Sequence, residues 1–265
     1  MKTLRLVASI ILCSLFLQGS SAAAEWEVQK TLPPSTPGAV KDISCASGSD
    51  LFFLAAGGRV VLHYDGSDWR LLLDSGSTDS YGIWGSSGSD VFVVGSSGTI
   101  QHFDGSSWSD MASGTAQTLN DVWGASGSDV FAVGGSGTIL HFDGSSWSAM
   151  ASGTTRWLNA VWGSSGTDVF AVGDLGTILH YDGSSWSAMA SGNSEVLYGV
   201  WGSSGSDVFA VGHYNTILHY DGSSWSTMST GTHNDYLYGV WGSSGSDVFA
   251  VGKSWVPETH RTIYH

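Results

Sequence analysis

The sequence predicts an all-β fold, a six-bladed propeller. Three observations carry that expectation: a unit of about 39 residues recurs along the chain, each unit holds four strand-like runs, and the runs are joined by hairpin-sized links. Trp84, Trp123, Trp162 and Trp201 stand 39 residues apart, and Trp241 follows after 40. The Asp-Gly step recurs in phase at Asp65, Asp104, Asp143, Asp182 and Asp221, and a divergent copy begins near Ile43.

One unit shows how a blade would form. Its runs are LNDVW (119–123), DVFAV (129–133), TILHF (138–142) and WSAM (147–150). They are rich in Val, Ile, Phe and Trp, which suit a pleated, half-buried surface. They contain no proline and show no 3.6-residue period, which argues against helices. The links are Gly-Ser-Ser-Gly-Ser, then Gly-x-x-Gly, then Asp-Gly-Ser-Ser. Asp-Gly suits a tight hairpin, because glycine takes positive φ without steric cost. Four antiparallel strands in this span make a blade. The last unit stops in its third run at TIYH (262–265), and Glu25-Trp26-Glu27-Val28 resembles the fourth run it lacks. One blade is therefore expected to be closed by the N-terminal strand, which would remove open sheet edges.

The first 24 residues stand apart. Lys2 and Arg5 precede an apolar run over 6–17, and Ala22-Ala23-Ala24 offers a small-residue cleavage site. That pattern is expected of a secretory signal peptide, leaving a propeller over 25–265 in a secreted or periplasmic protein with no membrane insertion. Cys45 is then the sole cysteine, so no intramolecular disulfide forms. The remaining chain carries seven basic against 23 acidic residues, a formal charge of −16. Such a balance excludes nucleic acid and anionic membrane surfaces as partners. A monomer is expected.

Two residue rings invite chemistry. His63, His102, His141, His180 and His219 share one repeat position, with His265 aligned to them. They lie in the third run, away from a propeller's axis, and are expected to bond a repeat Asp or Ser between blades rather than a metal. Tryptophan appears twice per unit and is expected to pack between blades. Catalytic groups are scarce: Arg59, Arg70, Arg156 and Arg261 are scattered, and the serines form no distinguishable triad. The glycine-rich turns precede no helix, so they cradle no phosphate. No enzyme activity, metal or cofactor is expected.

The copies differ where partners would be met. The turns GSSGSD and DGSSW are nearly constant, whereas the fourth-to-first links and the second-to-third turns vary. Alternate connections of an up-and-down blade emerge on one side, so the variable sets are expected to share a rim. Loops on a rigid scaffold are where binding specificity is built. The candidate ligand-binding residues are Arg156, Trp157, Glu195, His213, Tyr214, His233, Tyr236, Lys253, Trp255 and Arg261.

The stretch GTILHYDGSSW (176–186) resembles bacterial propeller repeats of the Asp-box (BNR) and photosystem-assembly-factor-like group. Those place a Gly-x-x-Gly turn and an Ile-Leu strand before an Asp-Gly hairpin ending in Trp. The resemblance covers nearly all of 43–265. This chain departs in having His-Tyr or His-Phe before the Asp, where Ser or Thr is usual, and a single Gly directly after it. It is similar also to tectonin-type lectin repeats in the order of Trp, small residues and Ile-rich strands. Both resemblances imply a propeller with a binding function, and neither transfers a catalytic residue. The arginine patch expected of a photosystem assembly factor has no counterpart here. The expected function is a secreted binding module, a protein-interaction or envelope scaffold with a protein ligand. The alternatives are a multivalent lectin with a glycan ligand and, third, a glycan hydrolase.

Overall fold

The structure, a computed structural model, describes residues 40–47, 50–55, 57–74, 79–228, 235–253 and 261–265. The expected leader over 1–24 and closing strand over 25–28 lie outside them. The described residues form six antiparallel sheets in chain order, five of four strands and a last one of three. They are the blades of a six-bladed β-propeller. Blades 1 to 6 span residues 42–74, 80–110, 119–150, 158–189, 197–227 and 236–264.

In blade 3 the strands are Leu119–Ser126, Asp129–Gly134, Ile139–Phe142 and Trp147–Met150. The innermost strand runs past the LNDVW run through Gly124, and the reason lies in the neighbouring blade. A Cβ on Gly124 would stand 2.6 Å from the Trp84 ring of blade 2. The same relation joins Gly163 to Trp123 and Gly202 to Trp162. The Trp-Gly pair is thus an interblade joint: each indole lies over the bare backbone of the next inner strand.

Hydrophobic cores sit between blades. Phe92 and Val94 of blade 2 meet Val122, Leu140 and Trp147 of blade 3, and the next two interfaces repeat the pattern. In blades 2 to 5 the second strand is apolar at every position from Val to Val and buried on both faces, as Val130, Phe131, Ala132 and Val133 are. Near-continuous apolar runs in place of alternation are what a doubly covered strand requires.

The repeated histidines hold blades together from within. His141 Nε2 lies 2.7 Å from Asp129 Oδ1, and the same bond recurs at His63–Asp50, His102–Asp90, His180–Asp168 and His219–Asp207. This corrects the expected bond between blades. The register places His141 opposite Phe131, so its ring lies tilted against that phenylalanine at 4.6 Å and reaches the aspartate at the start of the same second strand.

The Asp-Gly hairpins behave as their composition predicts. Asp143 Oδ1 accepts the Ser145 and Ser146 amides, each at 2.9 Å, while Gly144 takes φ +90°. The Ser145 hydroxyl and those amides hold the Asp143 carboxyl down at about 2.

Candidate functional site

The two variable loop sets do share one rim, and backbone hydrogen bonds stitch them together. Gly135 N–H donates to Thr118 O, Asp174 N–H to Trp157 O, Gly176 N–H to Glu195 O, and His213 N–H to Val196 O. The second-to-third connection is a three-residue 3₁₀ turn in blades 2 to 5, whose middle residue is left-handed in every copy: Ser97, Ser136, Leu175 and Tyr214, at φ +52° to +55°. That middle residue stands at the tip of the turn.

Around blades 2 to 4 the rim is sparsely furnished. Trp157 is 46% exposed beside Gly135, Leu175 projects from its turn, and Arg156 is exposed on the link entering blade 4. Just inside the rim, Asn120 and Asn159 each donate a side-chain N–H to the next inner strand, at Leu158 O (2.8 Å) and Leu197 O (2.9 Å). These asparagines tie neighbouring blades.

Blades 5 and 6 replace the asparagines with Tyr198 and Tyr238, and the chemistry of the rim changes there. The two rings lie 5.2 Å apart. His213, at the turn of blade 5, stacks on Tyr214 at 4.2 Å, meets Tyr236 at 4.1 Å and stands 6.4 Å from Tyr198. Tyr236 in turn stacks against Tyr238 at 6.2 Å. Five aromatic rings therefore form one connected cluster, of which Tyr214 (54%) and Tyr238 (51%) face solvent.

Its electrostatics are acidic on one flank. Glu195 Oε2 lies 3.7 Å from His213 Nδ1, and Asp174 is held by Asn159 at 3.3 Å. Burial, followed by Tyr238, Tyr236 and the Asp174 carboxylate, raises the Tyr198 phenol above its usual 10. Burial also raises Tyr238, with Tyr236 adding to it. Both phenols are neutral donors at physiological pH. His213 Nε2 is buried and has no hydrogen-bond partner among the described residues. A buried polar atom left unpaired is rare in folded proteins and suits a group that a ligand satisfies. Tyr214 takes the left-handed conformation common to these turns at φ +52°, which is strained for a bulky side chain.

Of the residues expected from sequence, Glu195, His213, Tyr214 and Tyr236 come together. Lys253 is exposed on the far flank, opposite Tyr236 in the strand register, and Arg261 is opposite Lys253 in turn. Arg156 and Trp157 lie on the link into blade 4, apart from the cluster. His233 and Trp255 lie outside the described residues. Tyr198, Tyr238 and Asp174 were not singled out from sequence. The inner-strand position holding Lys41, Tyr81, Asn120, Asn159, Tyr198 and Tyr238 varies as much as the loops do, and that variation inside a strand was the available signal.

Fold and rim together define a β-propeller scaffold with one chemically distinct stretch of rim. No protein-family model matches the chain, and no curated protein matches it. Among solved structures it is similar to "YCF48 bound to D1 peptide", at TM-score 0.65 and 16% identity over 86% of this chain and 79% of that one. It is similar also to YCF48 from Cyanidioschyzon merolae, at TM-score 0.61 and 16% identity over 79% and 78% of the two chains. At this identity the structural likeness shows the propeller fold alone.

Proposed function

We propose that the chain is an exported, non-enzymatic binding scaffold that takes a protein segment on the rim of blades 5 and 6. The aromatic cluster of Tyr198, His213, Tyr214, Tyr236 and Tyr238 carries this reading. Aromatic rings half-open to solvent on rigid strands are the side chains that dominate protein interfaces. The acidic flank at Glu195 and Asp174, on a chain of net charge −14, favours a segment with basic side chains, whose cations would sit against tyrosine faces. That a structurally similar propeller is described as bound to a peptide supports a peptide ligand here.

The glycan reading rests on repetition, and the rings that repeat are spent on packing: the inner tryptophans cover glycines and the outer ones fill interblade cores. A lectin would therefore have one site at the cluster and not six.

The test replaces Tyr198, Tyr214 and Tyr238 with alanine together. Affinity capture from envelope extract, wild type beside variant, should show a protein retained at least tenfold more by the wild type. Calorimetry with that protein should give one site. Equal capture by both refutes the assignment, and a glycan bound at one site by the wild type and lost in the variant would establish the lectin.

A further inference from the structure

The rim at blades 5 and 6 can be compared with the rim at blades 3 and 4 position by position. The turn of blade 3 begins Gly135-Ser136, and the Ser136 hydroxyl donates to Gln117 Oε1 of the preceding link at 3.2 Å. Trp157, on the next link, lies over the bare backbone of Gly135. The same repeat positions hold His213, Tyr214, Glu195 and Tyr236 at blades 5 and 6. An imidazole therefore stands where blade 3 has no side chain, packed between Tyr214 at 4.2 Å and Tyr236 at 4.1 Å. An amide and a hydroxyl that satisfy one another are replaced by a carboxylate and a phenol.

That exchange leaves the Glu195 carboxylate short of donors. His213 Nδ1 stands 3.7 Å from it, beyond hydrogen-bond reach, and no lysine or arginine among the described residues pairs with it. Arg59 and Arg70 are engaged by Asp79 and Asp65, and Lys41 lies over the Tyr81 ring. The link that carries Glu195 is nevertheless fixed. Its amide donates to Asn193 Oδ1 at 2.6 Å, and its carbonyl accepts the Gly176 N–H at 2.7 Å. The aromatic rings beside it stand 4.1 to 6.4 Å apart, centre to centre. Rings this close touch one another and form no cage around a rounded cation. What they offer is open faces, at Tyr214 and Tyr238.

We infer that the partner segment is held here by an arginine, its guanidinium flat on an open tyrosine face and its N–H fork on Glu195. The inference rests on the reading of this rim as the site of a protein segment. A guanidinium is planar and weakly hydrated, and it can stack on a ring while giving two parallel N–H bonds to a carboxylate. A lysine ammonium is a compact, strongly hydrated charge, which gains most from rings that enclose and desolvate it. Open faces beside a pre-set carboxylate therefore select the planar cation. Asp174, held through one oxygen by Asn159, adds negative charge on the same flank. His213 Nε2, buried without a partner among the described residues, leaves the imidazole free of any competing bond within the fold.

The probes are end-blocked Gly-Ser pentapeptides with a central arginine, lysine or citrulline. Binding to the full chain is read from the ring resonances of Tyr214 and Tyr238 in an NMR titration. The arginine peptide should bind roughly fivefold more tightly than the lysine peptide. Citrulline, which keeps the shape and loses the charge, should move neither ring. Glu195→Gln should reduce the preference for arginine over lysine to about twofold. Equal affinities for arginine and lysine, a preference that survives Glu195→Gln, or no shift with any peptide overturns the inference. The capture experiment fails separately. A protein retained through the tyrosines, but bound equally well once its arginines are changed to lysine, overturns the arginine and leaves the rim reading standing. Equal capture by wild type and triple variant, with an arginine-selective shift, upholds the guanidinium seat and removes the envelope protein as its source.

Discussion

The two rims of this propeller are built by the same kind of chain and obey opposite rules. On the constant rim, the Gly-Ser-Ser-Gly-Ser-Asp turn is held by side chains. A Cβ on Gly127, Gly166 or Gly205 would collide with the carboxylate of Asp90, Asp129 or Asp168 in the preceding blade. Each of those carboxylates is fixed by the histidine of its own blade, and the Ser86 and Ser164 hydroxyls also donate to Asp90 and Asp168. Every residue of the latch has a defined partner, so none can change alone. On the other rim the loops are joined backbone to backbone, through amides such as Gly135 and His213. Backbone bonds make few demands on side chains, which leaves the loop residues available for recognition. Constancy here marks architecture carried by side chains, and variation marks architecture carried by the main chain.

The sharpest way to break that contrast is a single methyl group on the constant rim. Gly166→Ala drives a Cβ into the Asp129 carboxylate, which His141 holds in place at 2.7 Å. Overpacking of this kind costs about 2–3 kcal/mol. We expect the melting temperature to fall by roughly 5–10 °C, with binding at the opposite rim unchanged. Calorimetric unfolding within a degree of wild type would show that the latch bears no strain and that its constancy has another origin.

The next effect lies on the axis, between the rims. Asp42 accepts the Ile83 amide of the next blade at 2.8 Å, and Asp121 accepts that of Val161 at 2.8 Å. Burial pushes the Asp42 carboxyl up to about 7; burial, with Asp42 nearby, also raises Asp121. A carboxyl raised in the folded state costs nothing below its unfolded value of 3.8. Its penalty grows as pH climbs from there to 7, because only the unfolded chain can then ionise freely. The hairpin aspartates act in the reverse sense. Asp143, Asp182 and Asp221 are held at about 2, so their contribution is present above the unfolded value and disappears as pH falls through 4 toward 2. Stability should peak near pH 5 and fall by roughly 5 °C in melting temperature toward pH 8. Asp42→Asn, which keeps one of the two acceptor oxygens, should flatten that fall. An unchanged slope would remove Asp42 from the account.

Most of this architecture was legible because repetition supplies its own comparison. The Trp-Gly pair, the Asp-Gly hairpin and the two-rim division could be read by aligning the chain with itself. The partner of the repeated histidines could not. Periodicity gives a residue's position in the blade, but the choice between Asp129 in the same blade and a neighbour's serine depends on which strand face His141 occupies. The rim was legible only in its loops. Tyr198 and Tyr238 were hidden because an inner-strand position reads as core, whereas the bulge between Leu197 and Gly199 lifts Tyr198 out of the regular ladder beside the His213 turn.

The smallest expected effect probes the variable rim alone, at Tyr214. Its φ of +52° costs a non-glycine residue about 1–2 kcal/mol, and the other blades meet that cost with Ser97, Ser136 and Leu175. Glycine would relieve it, less about 0.4–1 kcal/mol for the added freedom of the unfolded chain. Tyr214→Gly should therefore raise stability by about 0.5–1 kcal/mol and the melting temperature by roughly 2 °C. It should also strip His213 of its stacking partner and weaken partner binding. Gain of stability with loss of binding is the signature of strain kept for recognition. A variant both more stable and fully competent would show that the strained tip belongs to the repeat and owes nothing to the partner.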